Sequence, residues 1–76
     1  MRAYILVVVS PGTERQIKQE LEKLDQVKRV SIVYGSYDLV VEVEVDNIAE
    51  LHDLVLNTLR QKKEVENTIT LVVAED

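Results

Sequence analysis

The 76-residue sequence predicts an α+β domain in which a four-stranded antiparallel sheet carries two helices on one face, in the order βαββαβ. Three observations carry that expectation. Four stretches rich in Val and Ile and bounded by turn residues have the length and composition of strands. Two stretches with apolar residues at helical spacing separate the first strand from the second and the third from the fourth. The connection between the middle two strands, around Gly35-Ser36-Tyr37, is short enough to make them an antiparallel hairpin.

Residues 3–9 form the first expected strand, a continuous apolar run ended by Pro11-Gly12. Thr13 and Gln16 have the spacing of a capping box, which starts a helix there. Ile17, Leu21 and Leu24 lie on one stripe of it, and Glu14 with Lys18 makes a favourable i, i+4 pair on its wet side. Residues 27–34 form the second strand, with Val30, Ile32 and Tyr34 alternating against Ser31 and Val33. Residues 39–45 form the third, with Leu39, Val41, Val43 and Val45 on one face and Val40, Glu42 and Glu44 on the other. Asn47 and Glu50 repeat the capping-box spacing. Leu51, Leu54, Val55 and Leu59 make the stripe of a second helix, expected to end near residues 61–63. Residues 65–74 close the chain as a fourth strand. Two βαβ-like halves joined by a hairpin is the ferredoxin-like pattern, and right-handed crossovers place the first and third strands in its centre.

The length allows one domain, residues 1–76, with no linker or low-complexity segment. A core this small is marginal and usually needs a staple. No Cys is present, which excludes disulfides. His52 is the only His, so a structural zinc site lacks ligands, and no cofactor is expected. Oligomerisation remains. The formal net charge of −5 disfavours direct nucleic-acid binding. The basic cluster Arg60, Lys62 and Lys63 sits where the second helix should end, and interaction with its dipole accounts for it. No segment approaches the roughly 20 apolar residues of a membrane span, and the apolar N-terminal run lacks a signal-peptide cleavage site. A cytoplasmic protein is expected.

The first strand is apolar on both sides: Ile5, Val7 and Val9 on one, Tyr4, Leu6 and Val8 on the other. The fourth is similar, with Ile69, Leu71 and Val73 opposite Val72 and Ala74. Helices cover one face only, and a half-solvated antiparallel sheet should alternate cleanly. Each large apolar side chain left wet forgoes about 1.5–3 kcal/mol. Two open sheets stacked about a two-fold axis would bury the excess as an isologous dimer. Which row of the first strand forms the seam is open at this point.

Little in the chain suggests catalysis. His52 reads as a surface or partly packed helical residue. No nucleophile with an adjacent base can be assembled, the lone Gly12 and Gly35 make no phosphate-cradling loop, and Glu42 with Glu44 is better explained as a solvated rim or an interface contact than as an acid–base pair. The segment Tyr34-Gly35-Ser36-Tyr37-Asp38 is richer. Gly35 permits close approach of a ligand to the backbone, turn N–H groups could hold a carboxylate, and Asp38 could hold an ammonium. From the residues alone, ordinary turn chemistry is the preferred account. Thr68 and Thr70 share one face of the last strand and could present hydroxyls, although both also suit a strand by propensity.

Taken together, Ala3-Tyr4-Ile5-Leu6-Val7, Val27-Lys28-Arg29-Val30, the Gly-x-x-Asp hairpin in Tyr34-Gly35-Ser36-Tyr37-Asp38-Leu39-Val40, and the Thr-x-Thr strand from Val65 to Val73 resemble the effector-binding domain of the leucine-responsive/AsnC family of transcription regulators. The resemblance covers essentially the whole chain. It departs at Glu64, where the family often has Gly. Met1 leads almost directly into the first strand, so a stand-alone form lacking the family's helix-turn-helix domain is expected. The resemblance implies a non-enzymatic module that dimerises through its sheets into an α+β barrel and assembles further into rings such as octamers. It implies an amino-acid effector bound between dimers, with Gly35, Ser36, Tyr37 and Asp38 lining the site and Thr68 and Thr70 as further candidates. It also implies mixed assembly with full-length regulators of the family. A small enzyme of the dimeric α+β barrel type and a purely structural assembly module are the alternatives.

Overall fold

A computed structural model describes all residues, Met1–Asp76. The elements are β1 (Arg2–Val9), α1 (Glu14–Glu22), β2 (Val27–Ile32), β3 (Leu39–Glu44), α2 (Ile48–Asn57), a single 3-10 turn (Leu59–Gln61) and β4 (Val65–Val72). They form one four-stranded sheet in the order β2-β3-β1-β4, with every neighbouring pair antiparallel. This is the expected ferredoxin-like arrangement, with β1 and β3 in the centre.

The two rows of β1 meet different fates. Ala3, Ile5, Val7 and Val9 are buried beneath the helices. Ala3, Ile5 and Val7 are opposite Val43, Val41 and Leu39 of β3, so the all-apolar row of β3 lies on the same side. Ile17 and Leu21 from α1, Leu51, Leu54 and Val55 from α2, Val30, Val45 and Leu59 complete a core of 15 residues, none polar or charged. The other row, Tyr4, Leu6 and Val8, points away from both helices and is only partly covered. Directly opposite Leu6 are Val40 and Ile69; directly opposite Tyr4 are Glu42 and Leu71. Ile69 is 39% and Leu71 50% exposed. The open face is thus a continuous apolar strip, and its central row is Tyr4, Leu6 and Val8.

Several local expectations are corrected. β2 stops at Ile32, short of residue 34; the Val33 N–H still bonds across the hairpin to the Asp38 carbonyl, and residues 34–37 form the reversal. β3 ends at Glu44 and β4 at Val72, although the Val73 N–H still bonds to the Arg2 carbonyl. The two capping boxes diverge. Asn47 Oδ1 accepts from the Glu50 N–H at 2.8 Å, while the Glu50 carboxylate reaches one residue further back, to the Asp46 N–H at 3.0 Å. Thr13 makes no such cap. Its hydroxyl donates to the Ser10 carbonyl at 2.7 Å, closing the turn before α1, and the Gln16 side chain bonds to Glu20 and Glu64 instead. Lys18 pairs with Glu22 at 2.7 Å rather than with Glu14. That orientation leans the cation toward a later turn of α1.

The basic cluster does not serve the dipole of α2 as expected. The α-helix ends at Asn57, where Thr58 departs from helical angles, so no basic residue lies in its last turn. Lys62 instead bridges to Glu20 of α1 at 2.8 Å, tying the 3-10 segment to the first helix.

Candidate functional site

The helices do not reach across the whole sheet. Thr68, Thr70 and Val72 of β4 pair with Val7, Ile5 and Ala3, and so lie on the helix side. Their β1 partners are buried, yet Thr70 and Val72 are exposed and Thr68 only partly covered. The uncovered strip is one wall of a cleft of about 260 Å³ between α2 and β4. Ile48, Leu51, His52, Val55 and Leu56 from α2, Arg60 from the 3-10 turn, and Thr68 and Thr70 line it. Positions 48, 51, 52, 55 and 56 fall on one face of α2 by helical periodicity. Leu51 and Val55 form the buried floor, while Ile48 and Leu56 are exposed at the rim, 58% and 41% respectively.

The polar groups of the cleft are two Thr hydroxyls, one imidazole and one guanidinium. No Asp or Glu lines it. Arg60 takes part in none of the four ion pairs of the chain.

The hairpin occupies a different place. Gly35 has φ +135°, a region that only Gly adopts without strain, which explains its presence at the reversal. The base of the loop is fastened to β1. The Asp38 N–H donates to the Val7 carbonyl at 2.9 Å, and the Asp38 carboxylate accepts from the Val9 N–H at 2.9 Å. One oxygen of Asp38 is therefore occupied by the fold itself. At the tip, Gly35 and Ser36 are exposed, Tyr34 is fully solvent-facing and Tyr37 is half-buried.

Of the residues singled out in the sequence, Thr68 and Thr70 line the cleft, whereas Gly35, Ser36, Tyr37 and Asp38 do not. Asp38 contacts β1 from the β3 side, and β4 pairs with β1 from the other. Within one chain the two sets are not brought into one site. Ile48, Leu56 and Arg60 are not among the site residues that the sequence suggests, and His52, which reads there as a surface or partly packed helical residue, is exposed. The i, i+4, i+8 spacing of Ile48, His52 and Leu56 is the signal that could have found this face of α2. Its approach to residues 68 and 70 has no such signal.

The family model described as the Lrp/AsnC ligand binding domain matches residues 2–76. An uncharacterized HTH-type transcriptional regulator of Pyrococcus abyssi is 33% identical over 73 residues, covering 92% of this chain and 49% of that protein. The chain thus spans about half the length of the curated relatives it matches. Among solved structures, hypothetical protein PHS023 from Pyrococcus horikoshii has a TM-score of 0.90 at 35% identity, over 97% of this chain and 90% of its own. TTHA0845 from Thermus thermophilus has a TM-score of 0.93 at 29% identity, over 99% and 94%.

Proposed function

Because this chain belongs to the Lrp/AsnC ligand-binding domain family, we propose that it is a non-enzymatic regulatory module that oligomerises and binds a small effector, an amino acid, where two copies meet. The separation of the two candidate sets carries the proposal. Thr68 and Thr70 stand in the α2/β4 cleft, while the Gly35–Asp38 hairpin lies across β1 from them. An effector that touches both needs the hairpin of one copy and the cleft of another, and would therefore favour the assembled state. A ligand shifts an assembly only through such differential binding.

The apolar strip of the open sheet face supports a dimer stacked face to face, with Tyr4, Leu6 and Val8 at the seam. The regulator role comes from the relatives, and coupling to transcription would run through assembly with full-length members of the family. The HTH-type transcriptional regulators among its relatives support a binding module over an enzyme of the same scaffold.

The test is a thermal-shift screen against the twenty amino acids with light scattering in parallel. An effector at about 100 times its dissociation constant adds roughly 2.7 kcal/mol, and it should also raise the mass or sharpen its distribution. If no amino acid moves either the melting temperature or the mass, the proposal fails.

A further inference from the structure

The charge in the α2/β4 cleft runs against the rest of the chain. The protein carries a formal net charge of −5, with 14 acidic residues among 76. Yet its one cleft is lined by an arginine, a histidine and two hydroxyl donors, and by no carboxylate. Arg60 is exposed and unpaired there, so its guanidinium is available to a ligand without first breaking an ion pair. A guanidinium presents a planar fork of donors that matches a carboxylate. The rest of the lining is aliphatic: Ile48, Leu51, Val55 and Leu56. The volume of about 260 Å³ lies just under the roughly 300–1,000 Å³ of sites that enclose drug-sized ligands, which suits a single small metabolite.

We infer that the α2/β4 cleft binds a small carboxylate with an apolar tail, Arg60 pairing with the carboxylate, and that the cleft itself does not read an ammonium group. This rests on the effector-binding role proposed above and deepens it. With no acid in the lining, an α-ammonium finds no counter-charge within the cleft. An apolar 2-oxo acid therefore satisfies the cleft as fully as the corresponding amino acid. Any preference for the amino acid has to come from outside the cleft, for example from Asp38 of a second copy at the assembled interface.

The test uses the full chain and three probes of similar tail: L-leucine, its 2-oxo acid 4-methyl-2-oxopentanoate, and 3-methylbutylamine, which lacks the carboxylate. Calorimetric titration gives affinities, and amide and methyl NMR shifts locate the binding. The 2-oxo acid should bind with shifts at Leu56, Thr68 and Thr70, and the amine should bind at least tenfold more weakly. Arg60→Gln should weaken both carboxylates by about tenfold or more, the loss expected for a charge-assisted hydrogen bond. Its fold should be unchanged, since Arg60 is exposed and makes no ion pair. The inference is overturned if Arg60→Gln binds as the parent does, if the amine binds as tightly as the 2-oxo acid, or if leucine binds while the 2-oxo acid does not. Leucine shifts confined to residues 35–38 also overturn it, while leaving the effector role standing. Binding of the 2-oxo acid in the cleft without a response to any amino acid supports the inference and removes the amino-acid proposal. Silence from all three probes overturns the inference.

Discussion

Asp38 allows a quantitative test of how the hairpin is held. Its carboxylate accepts the Val9 N–H at 2.9 Å in a partly buried position, and its own N–H reaches the Val7 carbonyl. Asp38→Ala removes the acceptor and leaves the Val9 N–H without its partner. A hydrogen bond to a charged group contributes about 1.5–3 kcal/mol, and partial exposure places this one near the lower end, about 1.5–2 kcal/mol. For a domain of this size each kcal/mol moves the melting temperature by roughly 4–8 °C, so a drop of roughly 6–16 °C is expected. Asp38→Asn keeps an acceptor oxygen at the same position and should lose less than half of that. Urea and thermal unfolding by circular dichroism, at one fixed protein concentration, measure both, because oligomer stability depends on concentration. An Asp38→Ala protein as stable as the parent would refute the structural role. Equal losses in the two variants would show that charge, not the acceptor, matters there. An effector response lost in Asp38→Ala could reflect a loosened hairpin, whereas a response lost in Asp38→Asn with stability retained points to ammonium recognition.

Two further outcomes follow from the same geometry. Leu71 is 50% exposed on the open sheet face, so Leu71→Lys should leave the helical content of the chain unchanged while shifting its mass by light scattering toward the monomer; an unaltered mass at micromolar concentration would exclude that face as the seam. The hydrogen bond from Lys62, with a second from Gln16, holds the Glu20 carboxyl below its ordinary value. The folded state therefore takes up that proton less readily than the unfolded chain. The stabilisation is present above the ordinary carboxylate value, about pH 4.3, and is lost as pH falls through the lowered folded value. Glu20→Gln should flatten that acid limb of the stability-versus-pH curve, and a limb of unchanged steepness would rule Glu20 out as its source.

Much of the fold was legible because each element advertises its period. Ile17 and Leu21 and the stripe Leu51, Leu54, Val55, Leu59 are buried as expected, whereas Leu24, expected on the same stripe as Ile17 and Leu21, lies beyond the end of α1 and is only partly buried. The clean alternation in β3 decided the helix side of the sheet, since Leu39, Val41 and Val43 share it with Val7, Ile5 and Ala3 through the register. Local contacts were less secure. Thr13 and Gln16 have the right spacing for a cap, but Ser10, Glu20 and Glu64 offered their side chains other partners. Spacing shows which bonds are possible, and competition among neighbours selects among them.

The sequence by itself determined the class of the domain, the order of its strands, its core and the excess of apolar surface, because these follow from short-range periodicity and from what a chain of this size must bury. Only the tertiary structure decided the rest. β1 is apolar in both rows, and only the placement of the helices reveals that Tyr4, Leu6 and Val8 are left outward. The Asp38 carboxylate meets the Val9 N–H across 29 positions of sequence. The cleft joins residues 48–60 to Thr68 and Thr70 because β4 extends beyond the cover of α2. Each of these depends on how far one element overhangs another, a distance in space that no spacing along the chain records.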